Sequence, residues 1–176
     1  MSDEQLDLDR YIPFGLTAIA NKASRGASRI YLDLFGIGIN EWRILANLKI
    51  RPGMSANTIC AESGLDKAAV SRSLRSLEEA GRVTADDGSE ARGRQLRLTA
   101  SGEALHDQVI RVALHRENLL LDGFTKQERR QLYAFIRRLR VNVEAANNID
   151  YRELPAEALD VNGAYTPAVE VEKAES

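Results

Sequence analysis

The chain has 176 residues, a single cysteine and a formal charge of −2 from 24 bases and 26 acids, a size that holds one domain with an appendage and no second enzyme-sized unit. One cysteine excludes an internal disulfide and fits a reducing cytosol. No run of about 18 apolar residues occurs, and no basic start leads into an apolar stretch, so neither a membrane span nor a signal peptide is expected and the location reads as cytoplasmic.

Charge is unevenly placed. Residues 148–176 carry seven acids against two bases, which leaves residues 1–147 with 22 bases and 19 acids. An acidic tail therefore hides a mildly basic body.

A first helix is expected from near Pro13, where a missing N–H costs nothing. Leu16, Ile19, Ala23, Ala27, Ile30 and Leu34 then keep a three-to-four spacing up to Gly36 and Gly38, giving a narrow, Ala-rich stripe suited to close packing between helices, of one subunit or of two. Asn40 reads as the N-cap of a second helix through Trp42, Leu45 and Leu48 to Arg51, with Glu41 matching the dipole and Pro52-Gly53 ending it. Ser55 caps a short third helix that stops at Gly64. Asp66 caps a fourth, from Lys67 to Ala80, stopped by Gly81.

Residues 82–85 and 95–99 alternate weakly and flank Asp86-Asp87-Gly88-Ser89-Glu90-Ala91-Arg92-Gly93-Arg94, the pattern of a hairpin with a flexible tip. Leu96 and Leu98 should face inward and Gln95, Arg97 and Thr99 outward. Two long helices follow, from about Ala100 to Asp122 and from Thr125 to about Asn147, the second opened by a Thr125/Glu128 capping box and striped by Leu132, Ile136, Leu139 and Val143. Beyond Asn148 the composition predicts a mobile acidic tail.

Two short helices joined by a Gly turn and followed by a basic ribbon are the parts of a winged helix-turn-helix, so the fold class expected is mainly α (α+β). On the fourth helix Val70, Leu74 and Leu77 form the inward face. Lys67, Ala68, Ser71, Arg72 and Arg75 form the opposite one, where small side chains near the helix start permit close approach to base edges and arginine can fork to guanine. With Ser55 at the third helix and Arg92 and Arg94 on the hairpin tip, these are the candidate DNA-binding residues. Glu90 is placed to orient Arg92, and Asp86 and Asp87 are expected at the base of the wing, away from phosphates.

The order Asn40-Glu41-Trp42-Arg43-Ile44-Leu45, Gly64-Leu65-Asp66-Lys67-Ala68-Ala69-Val70-Ser71-Arg72, Leu77-Glu78-Glu79-Ala80-Gly81-Arg82-Val83, Glu90-Ala91-Arg92 and Leu98-Thr99-Ala100-Ser101-Gly102 resembles the MarR family of bacterial and archaeal regulators over roughly residues 13–147. The resemblance implies a homodimer in which residues 1–39 and 100–147 form the dimerisation region, while residues 40–99 of each chain read adjacent grooves of a pseudo-palindromic operator. It also implies a small-molecule effector such as an aromatic carboxylate or its coenzyme A thioester. In this chain the effector pocket would draw on Arg25, Ser28, Arg29, Leu32, Trp42, His115 and Arg116. Glu90 stands where the family usually has Asp, and the tail after Asn148 has no counterpart in the resemblance.

The function expected is a repressor released by its effector. The sequence lacks His-Glu-x-x-His, Cys-x-x-Cys, Gly-x-x-x-x-Gly-Lys and Gly-x-Ser-x-Gly, and His106 and His115 lie nine residues apart on one helix, so neither an enzyme nor a metal or cofactor site is expected. Two alternatives are a redox switch through Cys60, which reads more simply as a small apolar residue, and a winged helix that binds a protein partner.

Overall fold

The computed structural model of the chain describes residues 6–86, 94–150 and Arg152. Asp87, expected at the base of the wing, the expected wing-tip residues Glu90 and Arg92, and the tail beyond Arg152 lie outside the described residues. The chain divides into two compact units, residues 1–120 and 121–176.

Unit one contains α1 (Ile12–Phe35), α2 (Ile39–Ile50), α3 (Ala56–Ser63), α4 (Lys67–Glu79), β1 (Val83–Asp86), β2 (Gln95–Leu98) and α5 (Ala100–Leu120). Three expected caps form. Ser55 Oγ accepts the Thr58 N–H at 3.2 Å and Asp66 Oδ1 accepts the Ala69 N–H at 2.8 Å, each satisfying a donor that the first helical turn cannot. At the far end of α1, Gly36 takes the left-handed conformation and returns its N–H to Leu32, closing the helix where the sequence indicated.

The start of α2 differs from the expectation at Asn40. The helix begins at Ile39 with Gly38 as N-cap, because Glu41 Oε2 accepts the Gly38 N–H at 2.8 Å and the Ser28 hydroxyl of α1 receives the Ile39 N–H at 3.4 Å. Orphan donors are thus satisfied two residues earlier than a side-chain cap by Asn40 would require. α2 is the helix about which unit one is built: Ile44, Leu45 and Leu48 are at most 1% exposed, and burial of that order contributes about 1.5–3 kcal/mol per side chain. Val70, Leu74 and Leu77 of α4, Ile59 of α3, Leu96 of β2, and Leu105 and Val109 of α5 share this core.

The wing is a two-stranded antiparallel ladder that pairs Val83 with Leu98 and Asp86 with Gln95. Leu96 is buried and Arg97 exposed, as the alternation predicts. Met54 bridges to Leu96 on its other side, with the Leu96 N–H donating to the Met54 carbonyl at 3.0 Å, so β2 is paired along both edges at that point.

A tight corner joins the wing to α5. The Thr99 hydroxyl donates to the Gly81 carbonyl at 2.8 Å and accepts the Gly102 N–H at 3.1 Å, while the Thr99 N–H reaches the Arg82 carbonyl. Gly102 is needed here for space, since a Cβ at that position would run into the Arg82 carbonyl oxygen.

Unit two contains α6 (Lys126–Asn147). Thr125 and Glu128 make the expected capping box, the Thr125 N–H donating to Glu128 Oε2 at 2.8 Å and the Glu128 N–H to Thr125 Oγ1 at 3.2 Å. The Thr125 hydroxyl, donating to Glu128 Oε2 at 2.7 Å, and the Thr125 N–H hold the Glu128 carboxyl below its ordinary range.

Gly102→Ala should lower stability by about 2–3 kcal/mol, because backbone must move. Gly15→Ala, within α1 and with nothing in the way of a Cβ, should instead be neutral or stabilising by up to about 1 kcal/mol. Denaturant midpoints of the two variants check the contrast.

Candidate functional site

The outward face of α4 follows from its inward one. Ala69, Val70, Ser73, Leu74 and Leu77 are buried, which fixes the rotation of the helix and leaves Lys67, Ala68, Ser71, Arg72 and Arg75 exposed. These are five of the predicted DNA-facing residues, and they share one surface. A cation, a methyl group, a hydroxyl and two guanidiniums over the first three turns provide donors for base edges and phosphates with little bulk at the helix start.

The remaining predicted contacts stand differently. Ser55 is committed locally: its Oγ accepts the Thr58 N–H and lies 2.9 Å from the Thr58 hydroxyl. Arg94, one residue past the outer end of the ladder, gives its Nη2 to Glu78 Oε1 at 2.9 Å. Arg75 gives its Nε to Glu79 Oε1 at 2.8 Å, and this bond keeps its guanidinium charged above the ordinary range. Asp86 ends β1 at the outer end of the ladder rather than at the base of the wing, and there its Oδ2 accepts Arg97 Nε at 2.8 Å from the facing strand, which matches its charge. Cys60 is half-buried and packs against the core.

A second site lies within unit one between α1, α2 and α5, an open cavity of about 680 Å³, within the range of small-ligand sites. Of the residues expected there, Trp42 and Arg116 line it. Arg25, Arg29 and Leu32 do not, because α1 turns Ala23, Ala27 and Tyr31 inward and leaves those three exposed. Ser28 is half-buried outside the lining, with its hydroxyl spent on the start of α2. His115 is exposed, since α5 buries Gly102, Leu105 and Val109.

The histidine that meets Trp42 is His106. Its ring stacks on the indole at a centroid separation of 5.4 Å and 22° between planes, and its Nδ1 lies 2.9 Å from Asp107 Oδ1. The Asp107 carboxyl is accordingly held below its ordinary range, chiefly by the His106 bond. His106 lies one turn before the buried Val109, a phase that is set by what α5 packs against.

The cavity wall also holds residues that the stripe reading passed over. Tyr31, 3% exposed, meets Trp42 edge-on at 6.0 Å and hydrogen-bonds Arg116. Arg43 Nη2 donates to the Ser24 hydroxyl at 3.0 Å and Arg116 Nη2 to the Ala23 carbonyl at 3.1 Å. Both guanidiniums thus rest on neutral acceptors beside an aromatic wall, and each retains further donors.

A helix-turn-helix core with a cation-bearing second helix, followed by an antiparallel wing, defines a winged helix-turn-helix DNA-binding protein. The sequence profile of the MarR family matches residues 35–93. A MarR/EmrR family transcriptional regulator from Acinetobacter sp. ADP1 is 35% identical, with a TM-score of 0.74 over 80% of this chain and 99% of its own. The chain belongs to the MarR family of transcriptional regulators.

Two more distant structures share the fold. The S. aureus MepR–DNA complex is 20% identical over 74% of this chain and 95% of its own, with a TM-score of 0.63. CouR from Rhodococcus jostii RHA1 bound to p-coumaroyl-CoA is 20% identical over 77% and 96%, with a TM-score of 0.67. No curated protein matches the sequence. Among the described residues no helix is long and apolar enough to cross a membrane, and no group of potential ligands is arranged to hold a metal ion.

Burial raises the Tyr31 phenol above its ordinary 10.0, and the charge and hydrogen bond of Arg116 only partly oppose it. A raised folded-state value means stability that is complete below the unfolded value and is lost as pH rises through the folded one. The denaturant midpoint should therefore fall above about pH 10, and Tyr31→Phe should flatten that alkaline limb.

Proposed function

We propose that this MarR-family regulator acts as a homodimeric repressor that reads a pseudo-palindromic operator through α4 and the wing and is released by an anionic aromatic effector. The observation that carries the DNA reading is the exposed Lys67, Ala68, Ser71, Arg72 and Arg75 face on a helix whose other side is anchored in the core. Lys67 and Ser71 would take phosphates, and Arg72 and Arg75 base edges, with Arg75 exchanging Glu79 for its target. Arg92 and Arg94 would add wing contacts, with Glu90 orienting Arg92.

Dimerisation is supported by apolar side chains that remain exposed on single elements. In unit one these include Ile12, Phe14, Leu16 and Ile19 at the start of α1, and Leu119 and Leu120 at the end of α5. On α6 they include Phe135, Ile136, Leu139 and Val143. Clustered exposed apolar side chains of this kind mark interaction surfaces, and two copies would hold their recognition helices about 34 Å apart for successive major grooves.

The effector reading rests on the cavity. Tyr31 and Trp42 offer an aromatic wall while Arg43 and Arg116 offer guanidinium donors that a carboxylate would satisfy better than the neutral oxygens they now hold. An aromatic acid or its coenzyme A thioester fits that chemistry, in line with the p-coumaroyl-CoA bound by the CouR relative. By favouring one spacing of the two heads, such a ligand would lower operator affinity through a population shift.

Fluorescence anisotropy with a palindromic duplex from upstream of the protein's own gene tests the DNA reading. Salt-dependent binding of one dimer per duplex is expected, Arg72→Ala and Arg75→Ala each weakening it about tenfold or more and Lys67→Ala reducing the salt slope by about 1. Salt-independent or absent binding would overturn it.

Trp42 is the single tryptophan, so its emission reports on the cavity directly. p-Coumarate or p-coumaroyl-CoA should quench it saturably and release the duplex, and Arg116→Ala should weaken both effects. An unresponsive Trp42 would refute this ligand class.

A further inference from the structure

α4 ends on two consecutive acids, Glu78 and Glu79, with no base in its last turn. The backbone dipole makes that end of a helix favour cations. Arginine meets each acid, by different routes. Glu79 takes Arg75 from one turn earlier on the same helix, and both side chains are well exposed. Glu78 takes Arg94 from the other side of the wing, sixteen residues on.

The Glu78 pair has a geometry that the Glu79 pair lacks. The ladder ends where Asp86 faces Gln95, and Arg94 is the next residue outward. Its bond to Glu78 is thus a side-chain link between the recognition helix and the wing just past the last paired residues. The packed end of this link is the acid: Glu78 is 28% exposed and Arg94 65%. The Glu78 backbone is held as well, its carbonyl accepting the Gly81 N–H at 2.9 Å.

We propose that Glu78 is a positioning residue for DNA reading, holding Arg94 just past the outer end of the ladder so that the rest of its guanidinium meets a backbone phosphate in a fixed place beside α4. A guanidinium has five N–H donors, and among the described residues Arg94 is bound to Glu78 through Nη2, which leaves Nε and Nη1 to face the phosphate. An exposed ion pair is weak in water, but a duplex laid over the head excludes solvent and strengthens it when it matters. The inference rests on the DNA-binding head described above and adds to it a residue that itself touches no DNA.

A simple like-charge obstacle would behave in the opposite way. If Glu78 only repelled phosphates, its neutralisation would tighten binding to every duplex and steepen the salt dependence.

The test measures wild type, Glu78→Gln, Arg94→Ala and the double variant on the upstream palindromic duplex and on a random-sequence duplex of equal length. Circular dichroism and melting confirm that each is folded. Glu78→Gln should weaken the palindrome about three- to tenfold without weakening the random duplex, and should cost little more once Arg94 is alanine. Glu78→Asp should restore part of the loss. Equal tightening on both duplexes, unchanged affinity for both, or additive effects of the two substitutions would overturn the proposal. If the unaltered protein bound neither duplex, the DNA reading would fall and this assignment with it.

Discussion

The Arg82 carbonyl lies so close to Gly102 that no side chain fits between them, and this contact joins the end of the recognition helix to the start of α5. Thr99 reinforces it through its hydroxyl, which spans from the Gly81 carbonyl to the Gly102 N–H. Because these are backbone groups, the corner has little freedom to tilt. Whatever moves α5 must carry the end of α4 and the root of the wing with it, as packed elements transmit displacement rather than absorb it.

α2 gives that corner a consequence at the cavity. Its buried side, Ile44, Leu45 and Leu48, meets the core beneath α4, while Trp42 and Arg43 look into the space bordered by α1 and α5. One helix therefore touches both the reading head and the cavity. A ligand that drew Arg43 from Ser24 or Arg116 from Ala23 would alter contacts of α2 and α5 with α1, and the differential energy of those contacts is what a regulator needs to shift between states.

The electrostatics of the head show why net charge is a poor guide to a DNA reader. The whole chain is slightly acidic, and several arginines of the head are met by carboxylates: Arg75 by Glu79, Arg94 by Glu78, and Arg97 by Asp86. Paired arginines keep their direction and can exchange one oxygen for another on binding. The field that attracts DNA is then local, set by which side chains share a face.

Much of this was legible in the linear chain because it depends on local physics. Ser55, Asp66 and the Thr125/Glu128 pair cap helices from within three residues, and the 3.6-residue period on α4 separates Val70, Leu74 and Leu77 from Lys67, Ser71 and Arg72 without reference to anything distant. Tertiary structure contributed to the start of α2, where a hydroxyl eleven residues earlier supplies a second acceptor beside the local Glu41 carboxylate. It also decided the membership of the cavity. An Ala-rich stripe does not reveal whether Ile30 or Tyr31 turns fully inward, nor whether His106 or His115 finds the indole, because helix rotation is settled by the partners a helix buries against.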